Sequence, residues 1–252
     1  MKPRSTLLVI ALFLASLNLR PVISSISPLL ETIRSDLGMS ASSASLLTSI
    51  PVLCMGIFSP IAVKLGIRHG IERMIALALV LVGGATVLRW FTPSYTFLLL
   101  TSLIAGIGIA TAGPLLSGFI KRYFPSQVAA MIGVYSVAMV AGAALSAGLS
   151  VPFQNALNGS WRSALGLWAI LAVIALPAWW LFVPRRVEPN LDQSSSLKNA
   201  GQLPWRNHRA WLLTVFFGMM AFLFYSITAW LAPAVSNMGY SKIYAGNMLT
   251  LF

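Results

Sequence analysis

Arg20 is the residue of this sequence with the clearest chemical potential, because it is a cation inside the first long apolar stretch, residues 5–30. An arginine near the centre of a bilayer costs at least about 2.5 to 3.5 kcal/mol on insertion scales, so it normally faces a cavity, a partner or a nearby interface. On a continuous helix, three serines share one face with Arg20 at spacings of three or four residues. These are Ser16, Ser24 and Ser27. The pattern predicts a polar lining along this stretch.

Two explanations of Arg20 stay open. Pro21 removes the hydrogen bond to the carbonyl of Leu17, which leaves backbone acceptors near the guanidinium. Arg20 therefore either binds an anionic or strongly polar substrate near the middle of the membrane, or satisfies the freed carbonyls or extends to the outer interface. We favour the substrate-binding hypothesis, with Ser24 on the same face.

Later apolar stretches carry further polar and aromatic side chains that can contact a small solute. Tyr135 lies on one face of the fifth stretch, and Tyr225 and Thr228 share a face of the seventh, close to Trp230. Packing between helices is the alternative explanation for each of them. The predicted substrate-binding set is Arg20, Ser24, Tyr135, Tyr225 and Trp230.

Two other polar residues are predicted to have structural roles. Asn18 points away from the Arg20 face of the helix, so we expect it to bond to a neighbouring helix. Arg89 stands beside Trp90 at the outer boundary of the third stretch, where both side chains would anchor the span at the membrane interface.

The sequence lacks the residue groups that an enzyme needs. His69 and His208 lie in predicted loops, and the single cysteine, Cys54, cannot form an intrachain disulfide. Because both histidines lie in loops, no intramembrane Ser-His pair or metal-ligand cluster can be assembled, and no Asp or Glu lies within a predicted span. The run from Gly106 to Ala110 superficially resembles a dinucleotide loop, but no strand precedes it and we interpret it as a packing strip. We predict no enzyme activity and no cofactor.

The elements that must hold these residues are membrane helices. With 58% hydrophobic and 9% charged residues and a mean hydropathy of +0.83, the chain is too apolar for a soluble globular protein. Seven stretches are long enough to cross a bilayer, and an eighth begins near Ala245. They cover residues 5–30, 42–63, 74–92, 96–119, 128–152, 164–183 and 211–235. The predicted fold is an all-α polytopic membrane protein.

The distribution of positive charge predicts the orientation. The formal net charge is +12, but the basic residues are scattered between apolar runs, so we expect a lipid bilayer and no nucleic acid as partner. With the N-terminus in the cytoplasm, 12 of the 17 Lys and Arg residues fall on the cytoplasmic side, four fall outside, and Arg20 lies within a span. This excess predicts a cytoplasmic N-terminus.

A polar connection divides the predicted spans into two groups. Residues 184–210 are rich in serine, proline and charge, which is typical of a flexible linker. Residues 1–183 then form a six-helix bundle, and residues 211–252 form the seventh helix and part of the eighth. Gly38-Met39-Ser40 with Ala44 recurs as Gly239-Tyr240-Ser241 with Ala245, which favours a duplicated six-span half.

Several short motifs resemble one transporter family. They are Leu19-Arg20-Pro21, Pro28-Leu29-Leu30, Leu46-Leu47-Thr48 with Pro51, Arg68 to Arg73 in the loop after the second stretch, Ile120-Lys121-Arg122 with Phe124-Pro125, and Trp230-Leu231 with Pro233. In this order they resemble the cyanate and 2-nitroimidazole porter branch of the major facilitator superfamily. The resemblance implies twelve helices in two halves with the substrate at their interface, a monomer when complete, and a location in the bacterial cytoplasmic (inner) membrane.

The predicted function is therefore secondary transport of a small anion or polar compound, cyanate-like or nitroimidazole-like, by alternating access. The alternative is a seven-span membrane receptor or an assembly protein that transports nothing. A length of 252 residues holds at most seven or eight crossings, so we expect an incomplete transporter chain. Import or export, the coupling ion and the identity of the substrate stay open.

Overall fold

The computed structural model describes residues 3–184 and 207–251, and every regular element in those two ranges is helical. Seven segments are long and apolar enough to cross a membrane, which confirms the predicted number of spans and the all-α fold class. They are Ser5–Asp36, Ala41–His69, Ile71–Phe91, Tyr95–Tyr123, Val128–Ala156, Trp161–Phe182 and His208–Asn237. Most of the predicted linker, 184–210, lies outside the described residues.

The spans are built from eleven α-helices in the described ranges. They are α1 (Pro3–Leu17), α2 (Pro21–Ser24), α3 (Leu30–Asp36), α4 (Ala41–His69), α5 (Ile71–Leu88), α6 (Tyr95–Tyr123), α7 (Val128–Ala156), α8 (Trp161–Leu167), α9 (Ala169–Phe182), α10 (His208–Asn237) and α11 (Lys242–Leu251). Short 3-10 turns follow α2 (Ser27–Leu29) and α5 (Arg89–Phe91). The predicted eighth stretch corresponds to α11.

The first span is broken rather than continuous. The helical hydrogen bonds of α1 end at Leu17, three residues intervene, and Pro21 begins the single turn of α2. The shared face predicted from a continuous helix is therefore wrong for Ser16 and Ser27. Ser16 Oγ donates to the Leu12 carbonyl at 2.6 Å, and Ser27 Oγ donates to the Ala229 carbonyl at 3.0 Å, so neither hydroxyl lines a common surface with Arg20.

Small residues bring α6 close to its neighbours on two sides. A Cβ on Gly106 would lie 2.8 Å from the Cα atom of Pro51 in α4, and one on Gly108 would lie 2.9 Å from the Ala78 carbonyl oxygen in α5. Both distances are too short for real side-chain contacts. The strip from Gly106 to Ala110 is thus a packing surface, as predicted.

The predicted loop between the second and third spans is almost entirely helical. α4 continues to His69 and α5 begins at Ile71, so only Gly70 lies between them. Glu72 consequently belongs to the first turn of α5 and is buried, which corrects the expectation that no carboxylate lies within a span. Its Oε1 atom accepts a hydrogen bond from the Tyr123 hydroxyl at 2.8 Å and lies 3.3 Å from Arg122 Nη1.

The repeated Gly-x-Ser motif has the same local structure in both copies. Gly38 and Gly239 have φ of +62° and +93°, a region where glycine is favoured, and each follows the end of a helix. Ser40 Oγ then accepts from the Ser43 amide at 3.1 Å, and Ser241 Oγ accepts from the Tyr244 amide at 3.2 Å. The alanine that follows each motif is 1% exposed. The repeat is therefore a helix stop followed by an N-cap.

About half of α10 projects away from the other described helices. Its side chains from Leu212 to Leu223 are largely more than half exposed, whereas Thr228, Ala229 and Ala232 are buried. The buried part faces α11 and the first span. α10 therefore contacts the first six spans at one end only.

Candidate functional site

Arg20 lies in the three-residue gap between α1 and α2. Its guanidinium carbon is 4.8 Å from the ring centroid of Phe224 and 5.6 Å from that of Tyr225, both on α10. These distances are within the range of cation–π attraction. Within residues 3–184 and 207–251 the guanidinium makes no hydrogen bond and no ion pair. All its N–H donors are thus available to a further group.

The Arg20 side chain opens on a cavity of about 110 Å³ between the first six spans and the last two helices. Ser24 lines it from α2, and five small or apolar side chains line it from α7. Phe224 and Thr228 line it from α10, and Leu249 and Thr250 from α11. A small polar compound of a few non-hydrogen atoms matches a cavity of this size.

The structure brings three of the five predicted site residues together. Arg20 and Ser24 share the cavity, and the Tyr225 ring lies beside Arg20. Tyr135 is not among the residues that line the cavity. Trp230 does not line this cavity.

Trp230 instead lines a second cavity, of about 380 Å³, between α4 and α10. Tyr225 borders this second cavity too, and its hydroxyl donates to the sulfur of Met55 at 3.4 Å. Tyr225 therefore lines the second cavity and also lies beside Arg20, whereas Trp230, which is 46% exposed, lines the second cavity.

Sequence reasoning missed several residues of the Arg20 cavity, and Phe224 and Thr250 are two of them. Phe224 precedes Thr228 by four residues, so the helical spacing that linked Tyr225 to Thr228 could also have indicated it. Thr250 had no such signal, because its place depends on how α11 packs against α7. Its hydroxyl donates to the carbonyls of Ala144 at 3.2 Å and Gly246 at 3.0 Å.

The prediction for Arg89 was wrong. Its side chain is 0% exposed, so it cannot anchor the span at the membrane interface. Nη1 donates to the Val22 carbonyl at 2.7 Å and Nη2 to Ser102 Oγ at 3.2 Å, while Nε is 3.5 Å from Thr101 Oγ1. The expectation for Asn18 also fails, because its buried Nδ2 atom has no hydrogen-bond partner in the described ranges.

Three polar contacts join the first six spans to α10 and α11 beside the cavity. Ser27 Oγ donates to the Ala229 carbonyl, Thr250 Oγ1 to the Ala144 carbonyl, and Lys242 Nζ to Thr32 Oγ1 at 2.7 Å. The Ser27 and Lys242 contacts lie on the side of the cavity that is predicted to face outward, whereas Ala144 and Thr250 line the cavity itself. The described residues include no group of three His, Cys, Asp or Glu side chains that could hold a metal ion.

Comparison with known proteins identifies the family. The family model described as Major Facilitator Superfamily matches residues 8–252, which is nearly the whole chain. The chain belongs to the major facilitator superfamily. This confirms the family expected from the sequence motifs and makes the protein a multi-pass member of a transporter family.

Three superfamily relatives are similar over almost all of this chain. An uncharacterized transporter of Bacillus subtilis, YycB, is 36% identical over 99% of this chain and 61% of its own length. The 2-nitroimidazole transporter of Escherichia coli is 35% identical over 96% of this chain and 60% of its own. The cyanate transport protein CynX of Escherichia coli is 32% identical over 97% and 62%. The chain thus spans about three-fifths of these relatives.

Solved superfamily structures share the fold. A bacterial homolog of the human lysosomal transporter Spinster, in an inward-facing and unoccupied conformation, aligns with a TM-score of 0.71 and 21% identity over 98% of this chain and 59% of its own. A D-xylose–proton symporter aligns with a TM-score of 0.70 and 18% identity over 98% and 65%. At these identities the similarity establishes the fold alone.

Proposed function

We propose that this protein takes part in secondary transport of a small anion or polar compound, cyanate-like or nitroimidazole-like, by alternating access. Membership of the major facilitator superfamily supports transport, and the names of two relatives support this class of substrate. Because the chain spans only about three-fifths of those relatives, the transport activity is assigned to the product of the complete open reading frame.

The observation that carries the proposal is the state of the Arg20 guanidinium. It lies inside a membrane span, borders a cavity and has no hydrogen-bonding partner in the described part of the chain. Leaving such a group unsatisfied is costly, so a ligand with acceptor oxygens or nitrogens gains charge-assisted hydrogen bonds there. The planar fork of arginine suits a carboxylate-like or nitro-like pair of acceptors.

The aromatic pair beside Arg20 supports a small planar substrate. Phe224 and Tyr225 present their rings to the guanidinium from α10, across the cavity from α2 and α7. A planar conjugated solute can stack on such a ring while it hydrogen-bonds to Arg20 in the same plane. Binding would then involve both the first six spans and α10 at once.

The arrangement of α10 supports alternating access. Polar contacts join the two helix groups on the predicted outer side of the cavity, while the other end of α10 has largely exposed side chains. A cavity that lies between two helix groups and is closed at one side can be reached from the other side after a rocking motion of the groups. We propose residues 1–183 as the first group, 184–210 as the linker and 211–252 as the start of the second.

The remaining assignments belong to the same proposal. The distribution of Lys and Arg supports a cytoplasmic N-terminus in the inner membrane, and the superfamily resemblance supports a monomer when complete. Ser24, which lines the Arg20 cavity, and Tyr135, which does not, are both proposed as substrate contacts, and Trp230 is proposed to act from the neighbouring cavity.

Uptake of radiolabelled cyanate and 2-nitroimidazole by cells that express the complete open reading frame tests the proposal. We expect Arg20→Ala to reduce uptake by about ten- to a hundredfold, because it removes charged hydrogen bonds to the substrate. Arg20→Lys should also impair uptake, since lysine keeps the charge but loses the planar fork. The matched control is Arg34→Ala, whose exposed arginine lies on α3 of the same span. Normal uptake by both Arg20 variants would refute the proposed role.

A further inference from the structure

Arg89 is enclosed at the junction of three spans. It follows α5, its side chain is 0% exposed, and its three donor atoms reach one backbone carbonyl and two hydroxyls. The hydroxyls of Thr101 and Ser102 themselves donate to the Leu98 carbonyl, at 2.7 and 3.0 Å. Their lone pairs are therefore left to accept from Arg89.

No carboxylate contacts Arg89 among the described residues, so the buried cation depends on neutral acceptors. Burying a charge without an opposite charge is unfavourable unless hydrogen bonds replace the lost hydration. The cavity beside Arg20 does not include Arg89 in its lining. The enclosed guanidinium therefore does not contact a substrate in that cavity. The role of Arg89 has to follow from the carbonyl and the two hydroxyls that it binds.

The carbonyl that Arg89 binds belongs to α2. In a continuous helix the Val22 carbonyl would accept from the Ile26 amide, but that amide donates to Ile23 instead, at 3.3 Å. Arg89 Nη1 takes this vacated acceptor at 2.7 Å, the shortest of its three hydrogen bonds. α2 lies directly after Arg20 and includes Ser24.

We propose that Arg89 is a positioning residue for the substrate site: it holds α2 in place, and with it the direction in which Arg20 and Ser24 face the cavity. The inference rests on the proposed role of Arg20, and it adds a residue that touches no substrate. α2 is a single helical turn with few backbone hydrogen bonds of its own. A charged hydrogen bond from another span therefore holds α2 in place more firmly than those backbone bonds can.

Uptake kinetics separate positioning from a general contribution to folding. We expect Arg89→Gln to raise the KM for 2-nitroimidazole about tenfold while Vmax, normalised to folded protein, changes less than twofold. Arg89→Lys should restore part of the affinity, because an ammonium can still donate to the Val22 carbonyl. The matched control is Arg162→Gln. Arg162 also donates to a carbonyl, that of Thr92 at 2.7 Å, but contacts nothing in residues 18–27, so its KM should stay within twofold of the wild type.

Thiol labelling tests the same inference without transport. In a Cys54→Ser background, Ser24→Cys places a single thiol on α2, where the native side chain is 2% exposed. We expect Arg89→Gln to raise the rate of labelling by a membrane-permeant maleimide about fivefold or more, because the turn opens more often. Arg162→Gln should leave that rate unchanged.

If Arg89→Gln does not fold, the double variant Thr101→Val, Ser102→Ala removes two of the three acceptors and keeps the Val22 contact. It should raise both KM and the labelling rate, by smaller factors. Unchanged KM and labelling in the folded Arg89 or Thr101–Ser102 variants would overturn the inference. Normal uptake by the Arg20 variants would instead refute the proposed function, while faster Ser24→Cys labelling in Arg89→Gln would still support the positioning of α2.

Discussion

Arg20 and Arg89 are two arginines in membrane spans, and the protein accommodates their charge in opposite ways. Arg89 is enclosed and donates to a carbonyl and two hydroxyls, so its hydrogen-bonding capacity is largely used inside the protein. Arg20 is partly exposed to a cavity and faces two aromatic rings, which weakly stabilise its charge but accept none of its conventional hydrogen bonds. This difference assigns positioning to Arg89 and ligand contact to Arg20.

A third charged residue, Glu72, gives a prediction about stability. Its carboxylate is 5% exposed and pairs with Arg122 and Tyr123 near the predicted cytoplasmic end. Glu72→Ala removes the partner of a largely buried arginine, so we expect the free energy of unfolding to fall by about 3 kcal/mol. Equilibrium unfolding in mixed detergent micelles measures the change.

The control for Glu72 is Glu31→Ala. Glu31 pairs with Arg34 at 3.1 Å, but the two side chains are 52% and 39% exposed, so solvent screens the interaction. We expect Glu31→Ala to change the free energy of unfolding by less than about 0.5 kcal/mol. Equal losses in the two variants would contradict the distinction between a buried and an exposed pair.

At the scale of elements, the break in the first span depends on what its neighbours supply. Pro51, Pro60, Pro114, Pro152, Pro177 and Pro233 lie inside helices that continue through them. Before Pro21, by contrast, α1 stops at Leu17, and the freed groups meet specific partners. Arg89 binds the Val22 carbonyl, and Gly142 of α7 admits the Leu17 carbonyl into direct contact with its backbone. Pro21 removes one helical hydrogen bond from the first span. The contacts from Arg89, which follows α5, and from Gly142 of α7 stabilise the resulting break.

Gly142→Ala tests this packing. The added Cβ would clash with the Leu17 carbonyl oxygen, so α1 and α7 have to separate. We expect the free energy of unfolding to fall by about 1 to 3 kcal/mol, together with reduced uptake. Detergent unfolding and uptake by the complete protein measure the two effects.

Gly133→Ala is the matched control in the same helix. A Cβ on Gly133 would meet nothing within 4 Å, and alanine favours a helix by about 1 kcal/mol over glycine. This variant should therefore be as stable as the wild type or slightly more stable. A loss of stability comparable with that of Gly142→Ala would show that the loss does not arise from the contact with Leu17.

At the scale of the whole molecule, the last two helices are joined to the first six spans asymmetrically. The end of α10 near Ala229 and the start of α11 pack against the first span and α7, whereas the side chains of 212–223 are largely exposed. The relatives are longer than this chain by about two-fifths of their own length. The exposed apolar surface of α10 matches what lipid or further helices of a complete transporter would cover.

The predicted orientation can be tested by thiol labelling of intact cells. In a Cys54→Ser background, we expect Ser42→Cys, at the start of α4, to react with a membrane-impermeant maleimide. Ser126→Cys, between α6 and α7, should react only after the membrane is permeabilised. Both native serines are exposed, so access to the protein surface does not limit either reaction. Labelling of Ser126→Cys alone in intact cells would reverse the assigned orientation.

The sequence by itself determined the class of the protein, the seven spans and the family, and it singled out Arg20. A membrane span is encoded within about 20 consecutive residues, because placing a charge or an unpaired backbone group in lipid is costly. Spans, short motifs and an arginine inside a span can therefore be recognised from local sequence. The Gly-x-Ser repeat was visible for the same reason, because a helix stop and an N-cap are encoded within a few residues.

Only the tertiary structure decided which partner each polar side chain meets. Arg89 reaches Val22, 67 residues away, and became an internal hydrogen-bond donor instead of an interfacial anchor. Arg20 faces Phe224 on α10, and Trp230 lines a different cavity from Arg20. Helix periodicity gives the face of a residue within one helix, but where the first span breaks and which helix covers that face depend on packing between distant segments. That packing is set by the close contacts at small residues such as Gly142.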